Sequence, residues 1–173
     1  MTTRLKIIVS DSSVLMDLAK VRLLEATVAL PFEFMIPDVM LATELLDLGS
    51  YHPSELVGLG FRKGQLDGTG TRQASIYFRQ HRQHLSLNDC FAWRLAERHA
   101  GILMTGDGKL RQIASSAGVE VHGTLWAIEL MMKHATCPRD RLIEALDCLD
   151  RDPLVRLPKS ALRALRSKFV AGR

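Results

Sequence analysis

Only three cysteines occur in the 173 residues, Cys90, Cys137 and Cys148. Their spacing offers no C-x-x-C pair and no paired histidine, which argues against a zinc site and against a disulfide-stapled fold. The six histidines, His52, His81, His84, His99, His122 and His134, are scattered without ligand spacing. Long hydrophobic runs are also missing: stretches such as Ala26 to Phe32 fall far short of the roughly 20 apolar residues that cross a bilayer. The first residues show no basic segment leading into an apolar core and a small-residue cleavage site, so a soluble cytoplasmic protein without membrane association is expected. No internal repeat, low-complexity stretch or linker-like segment interrupts the chain, whose length suits one compact domain.

What is present is the mixture of a globular protein, 47% hydrophobic and 24% charged residues. The net charge of +4 is unevenly spread: residues 1–150 carry 16 Lys/Arg against 18 Asp/Glu, and residues 151–173 carry 7 against 1. The body is therefore mildly acidic and the tail carries +6. Such a tail can attract a polyanion or an acidic partner chain, or it can form a solvated face.

Leu5 to Val9 is a short apolar, β-branched run, the pattern of a strand buried on both faces. From Ser13 onward Val14, Leu15, Leu18, Val21 and Leu24 recur at helical spacing. Phe32 to Ile36 predicts a second strand stopped by Pro37, and Asp38 can cap a helix that carries Met40, Leu45 and Leu48 to its end at Gly49. Between Gly49 and Gly70, Pro53 and the interspersed glycines predict loop with a short strand near Leu59 to Leu66. Helices are predicted over Thr71 to His84 and from Ser86 to about Ala100, then a strand at "ILMT", a turn and helix in "TGDGKLRQIASSAG", and a strand at "VEVHG". This alternation predicts an α/β fold, a three-layer α/β/α sandwich around a mainly parallel sheet. Pro153 and Pro158 set off a last amphipathic helix, with Leu162, Leu165 and Phe169 opposite Lys159, Arg163 and Arg166. Its apolar face can pack on its own domain, form a homodimer surface or accept a partner helix.

In an open parallel sheet the functional crevice lies at the carboxyl ends of the strands. Asp11 follows the first strand in "IIVSDSSVLMDLAK", and Asp107 follows "ILMT" closely. Glu44 in "IPDVMLATELL" and Asp89 in "LSLNDCFAWRLA" can reach the same edge. Each acid also has a purely structural use. Asp11 or Ser12 can cap the first helix, Asp107 can be a turn residue, Ser86 and Asp89 have capping-box spacing, and Glu44 can be a solvated helix residue. Several carboxylates brought together raise one another's pKa unless a divalent cation neutralises them. Oxygen ligands without His or Cys suit Mg²⁺ or Mn²⁺, and such a site can activate water against a phosphodiester.

The segments "IIVSDSSVLMDLAK", "IPDVMLATEL" and "LSLNDCFAWRLAERHAGILMTGDGKLRQIASSAGVEVHGTLWAI" together resemble the PIN-domain family, which includes the VapC-type ribonuclease toxins of toxin–antitoxin pairs. The family pattern is an acid after the first strand, an acid on the second helix, an L-S-x-x-D-A-like helix start and an acid after the fourth strand. Matched position by position, the resemblance implies a catalytic, metal-holding set of Asp11, Glu44, Asp89 and Asp107, supported by Ser13 and Thr105. Cys90 and Gly106 depart from the pattern, and the second departure removes a fifth carboxylate. "VHGTLWAI" resembles a subgroup of predicted nucleic-acid-binding PIN proteins. The resemblance implies a PIN-like catalytic domain over residues 1–135 with a C-terminal helical extension over 136–173. It also implies hydrolysis of single-stranded RNA with Mg²⁺ or Mn²⁺, and an antitoxin protein as a partner.

An acidic centre repels RNA, so basic residues must rim it. Lys109 and Arg111 lie beside Asp107, and Arg79 and Arg82 belong to a basic segment whose only acid is Asp67. Tyr77 and Phe78 in that segment are either base-stacking residues or core. Two other readings stay open: a nucleic-acid-binding or protein-interaction module of the same fold with little catalysis, and phosphoryl chemistry of the receiver or dehalogenase kind. The latter needs an acid pair after the first strand, where "DSSV" supplies one acid.

Overall fold

The computed structural model describes residues 5–43 and 48–172. Five strands form the sheet: β1 (Ile7–Ser10), β2 (Glu33–Pro37), β3 (Arg62–Gly64), β4 (Ile102–Met104) and β5 (Glu120–His122). The helices are α1 (Ser12–Lys20), α2 (Leu24–Val28), α3 (Asp38–Thr43), α4 (Glu55–Leu59), α5 (Gly68–His81), α6 (Leu87–Arg98), α7 (Gly108–Ser116), α8 (Thr124–Lys133), α9 (Arg139–Arg151) and α10 (Lys159–Val170). All strand pairings are parallel, in the order β3-β2-β1-β4-β5.

That order means the chain builds outward from β1 to β3, then returns to lay β4 on the other side of β1. Because parallel crossovers are right-handed, the reversal puts α5, α6 and α7 on one face of the sheet and α1, α2 and α8 on the other. The result is the expected three-layer α/β/α sandwich. β1 is buried at all four positions, as a strand covered on both faces requires. α6 covers β1, β2 and β4 through a broad face that includes Cys90, Ala92, Trp93, Leu95 and Ala96. One continuous hydrophobic core takes in Leu142, Leu146 and Leu149 of α9 and Leu162, Leu165 and Phe169 of α10.

The boundaries differ from the sequence pattern in instructive places. β1 runs to Ser10, because Asp11 N–H still donates to Met104 O at 2.9 Å and extends the pairing with β4. The glycine-rich segment contains α4 as well as β3, and its Leu56 is fully buried. Glycine depresses helix propensity, but burial of an apolar face overrides it. The helix expected to run on toward Leu48 is described as α3 over Asp38–Thr43; the stretch 44–47, with Glu44, lies outside the described residues.

The basic tail folds onto acids of its own chain. Arg166 chelates Asp147, with Nε at 2.5 Å from Oδ1 and Nη2 at 3.1 Å from Oδ2, and Arg163 reaches Asp150 at 3.1 Å. Lys159 also pairs with Asp150, and Lys168 pairs with Glu129 of α8. Each exposed pair is weak by itself, because water and salt screen it. Together they set the register of α10 on α9 beneath the buried leucines.

Gly101 makes the turn into β4 where a Cβ would stand 2.6 Å from the Ile7 carbonyl oxygen, a backbone atom of the neighbouring strand. Gly101→Ala should therefore push β4 off β1 and cost about 1–3 kcal/mol. Urea unfolding of the two proteins measures this, and an unchanged midpoint would show that the turn yields freely.

Candidate active site

β1 and β4 are sheet neighbours that leave the sheet toward opposite faces, so their carboxyl ends form the crevice expected at a reversal of strand order. Asp11 stands at the end of β1 and is only 3% exposed. It occupies the N-cap position of α1, yet its side chain makes no capping hydrogen bond. Its oxygens instead accept from three hydroxyls: Ser12 Oγ at 3.2 Å, Ser13 Oγ at 2.9 Å and Thr105 Oγ1 at 2.6 Å. Ser13 Oγ in turn accepts from Gly106 N–H at 3.0 Å, and Thr105 Oγ1 accepts from Asp107 N–H at 3.0 Å. A hydroxyl–carboxylate network thus ties the end of β1 to the loop after β4.

Asp107 caps α7: its Oδ1 accepts from Lys109 N–H at 2.7 Å and Leu110 N–H at 2.8 Å. Asp89 completes a capping box at the start of α6, where its Oδ2 accepts from Ser86 N–H at 2.6 Å and Ser86 Oγ accepts from Asp89 N–H at 3.1 Å. Each of these acids is therefore fixed through one oxygen, and the other oxygen takes no part in the cap. Thr43, the last described residue before Glu44, accepts from Asn88 Nδ2 at 3.0 Å, next to Asp89.

The three described acids meet in one open cleft of about 340 Å³, lined by Asp11, Ser12, Ser13, Met16, Asp89 and Asp107. Burial, followed by the charges of Asp11 and Asp107, holds the Asp89 carboxyl above the usual aspartate range, against the lowering effect of its bonds to Ser86. Among the described residues none of the three is ion-paired. Also among the described residues, no group of three His, Cys, Asp or Glu side chains forms a ready coordination shell. The donor set nevertheless fits a hard divalent cation: oxygen ligands only, with neighbouring negative charges that no ion pair offsets among the described residues.

The rim is laid out unequally. Lys109 is exposed and lines a second cleft, of about 520 Å³, with His81, His84, Trp93 and Gln112. Arg79 and Arg82 are exposed at the carboxyl end of α5, alongside His81. Arg111 Nη2 donates to Thr105 O at 2.9 Å, over the Cα of Gly123, and so steadies the loop that carries Thr105. Tyr77 stacks on Trp93, centroids 4.0 Å apart, and donates to Glu97 at 2.8 Å, while Phe78 packs on the core. Met16 and Asp17 also line the clefts, without a motif of their own in the sequence. With Ser13 they lie at i, i+3 and i+4 on α1, a helical spacing that was available as a signal. Asp17 accepts from Thr124 at 3.0 Å, and burial holds its carboxyl above the usual range.

The raised pKa of Asp89 predicts a pH-dependent stability. Its ionised form is disfavoured in the folded chain, so the penalty is absent below the unfolded-state pKa and develops as pH rises through the raised folded-state value. Asp89→Asn keeps an acceptor for Ser86 N–H and removes the charge. In metal-free buffer at neutral pH it should melt up to roughly 3 °C above wild type, and the two should converge at acid pH. A lower melting temperature for the variant at neutral pH would contradict this account.

No curated protein and no solved structure matches the chain. A family model described as a PIN domain matches residues 7–170, nearly the whole length. PIN domains are generally nucleases and typically use divalent metals. With carboxylates gathered at the reversal of its parallel sheet and a match spanning that sheet and the helices around it, the chain belongs to the PIN-domain family.

Proposed function

We propose that this protein is a Mg²⁺- or Mn²⁺-dependent endoribonuclease that hydrolyses single-stranded RNA. The observation that carries the reading is the convergence of Asp11, Asp89 and Asp107 in one cleft, without an ion pair among the described residues, with Asp11 tied by hydroxyl groups to the loop that carries Asp107. A structural role alone leaves Asp11 unexplained, since it caps nothing with its side chain and is nearly fully buried.

In this reading Asp11, Asp89 and Asp107 hold the cation, with Glu44 as a fourth acid. When bound, the cation lowers the pKa of a coordinated water and offsets charge on the scissile phosphate. Ser13 and Thr105 fix the Asp11 carboxylate by donating to the same oxygen, so its other oxygen is directed by Ser12 alone. The caps of α6 and α7 keep Asp89 and Asp107 from rotating away. Hydrolysis forms one P–O bond to the water oxygen and breaks one to the leaving ribose oxygen, which takes up the proton. Lys109, Arg79 and Arg82 are exposed and without an ion pair among the described residues, and would meet phosphates, whereas Arg111 is engaged by the Thr105 carbonyl. The same chemistry directed at cellular RNA would serve a toxin held in check by an antitoxin chain.

The test is cleavage of a labelled single-stranded RNA by the purified protein with Mg²⁺, Mn²⁺ or EDTA. Cleavage should require the metal, and Asp11→Asn should lower the rate roughly 10²- to 10³-fold with the fold retained. Asn can still accept from Ser13 or Thr105, whose hydroxyls rotate to suit. Undiminished cleavage by Asp11→Asn would refute the assignment. RNA retention without metal-dependent cleavage would favour a binding module instead.

A further inference from the structure

The carboxylate cleft opens into a neighbouring cleft of about 500 Å³ that shares Ser13, Met16 and Asp107 with it. Its far wall is not part of the sheet or of the helices that cover it. It is the connector between α9 and α10, represented by Leu154, Arg156 and Leu157. This connector is held against α1: Lys20 pairs with Asp152 at 3.1 Å, Asp152 accepts from Leu154 N–H at 2.8 Å, and Val155 is buried. Upstream, Arg141 Nη2 donates to Val21 O at 2.6 Å and fixes α9 to the end of α1. The connector is thus positioned by the body of the domain, and Leu154 is nevertheless left 78% exposed.

Most of the basic tail is spoken for. Arg151 Nε donates to Asp147 O, Lys159 and Arg163 meet Asp150, Arg166 meets Asp147, and Lys168 meets Glu129. Arg156 is the cation of that tail, among the described residues, without a hydrogen bond or ion pair to the chain, and it lines the cleft that continues from Asp107. We propose that Arg156 is a substrate-positioning residue, holding a phosphate of the RNA strand beside the carboxylates while Leu154, Leu157 and Met16 provide an apolar wall for the adjoining ribose or base. An acidic centre repels a phosphodiester, a nearby unpaired guanidinium offers a bidentate anion contact, and exposed apolar side chains suit the unstacked bases of a single strand. The α9–α10 segment thereby completes the substrate cleft. This assignment rests on the nuclease reading given above.

Binding and cleavage are measured separately, with wild type, Arg156→Ala, Arg156→Lys and, as a control for loss of one tail charge, Lys168→Ala. Anisotropy of a labelled single-stranded RNA in EDTA should show Arg156→Ala binding roughly tenfold more weakly, with a salt slope shallower by about 0.7, the amount expected for one lost phosphate contact. Arg156→Lys should recover part of the loss, and Lys168→Ala should match wild type. In the cleavage assay with Mn²⁺, Arg156→Ala should raise KM with kcat largely kept. If wild type cleaves RNA and Arg156→Ala binds and cleaves equally well, the role of Arg156 is overturned while the nuclease reading stands. Equal weakening by Lys168→Ala would also overturn it, because any tail charge would then serve. If wild type binds but does not cleave, the binding comparison still decides Arg156. If it neither binds nor cleaves, both readings fall.

Discussion

The hydrogen bond from Thr105 Oγ1 to Asp11, 2.6 Å long and buried, joins the ends of two adjacent parallel strands, and the site is organised around it. Backbone pairing brings β1 and β4 side by side but does not orient the side chains that leave them. The threonine does this for both sides: it donates to the Asp11 carboxylate and accepts from Asp107 N–H, which fixes the loop entering α7. Arg111 holds the carbonyl of the same residue. A single residue, held through its hydroxyl and its carbonyl, thus couples the carboxylate of one strand to the helix start of the next.

Around that junction lie carboxylates without an ion pair among the described residues. Asp89 and Asp107 show how such an arrangement can persist in a folded protein. Each is a helix cap, and the favourable bonds to backbone N–H groups and to the positive end of the helix offset part of the cost of crowding like charges. Capping and metal binding are therefore compatible uses of one side chain, since a carboxylate has two oxygens. Asp11 differs because its donors among the described residues are hydroxyls, which can reorient.

The carboxyl-terminal helices illustrate how charge and apolar burial divide the labour of assembly. Leu162, Leu165 and Phe169 supply the burial that attaches α10, and the ion pairs with Asp147, Asp150 and Glu129 settle how it lies. Neutralisation is nearly complete along that interface. Arg156 is not part of it: it sits in the connector between α9 and α10, where it lines the cleft that continues from Asp107.

The alternation of apolar strands with helices of 3.6-residue period was legible in the sequence, because the covalent chain imposes those two periodicities on any buried surface. So were Asp11, Asp89 and Asp107 as candidates, each marked by its place after a strand or at a helix start. Short elements were not: α4 was hidden by glycines, and its burial comes from distant contacts rather than local propensity. Nor could the sequence separate Tyr77 as a possible base-stacking residue from Tyr77 as the partner of Trp93, or Arg111 as a phosphate ligand from Arg111 as a brace. A local pattern, then, determined which elements form and which acids stand at their ends. The strand order β3-β2-β1-β4-β5 alone decided that acids 78 and 18 residues apart share one cleft with Thr105 between them, because side-chain convergence depends on contacts between segments that no local spacing encodes.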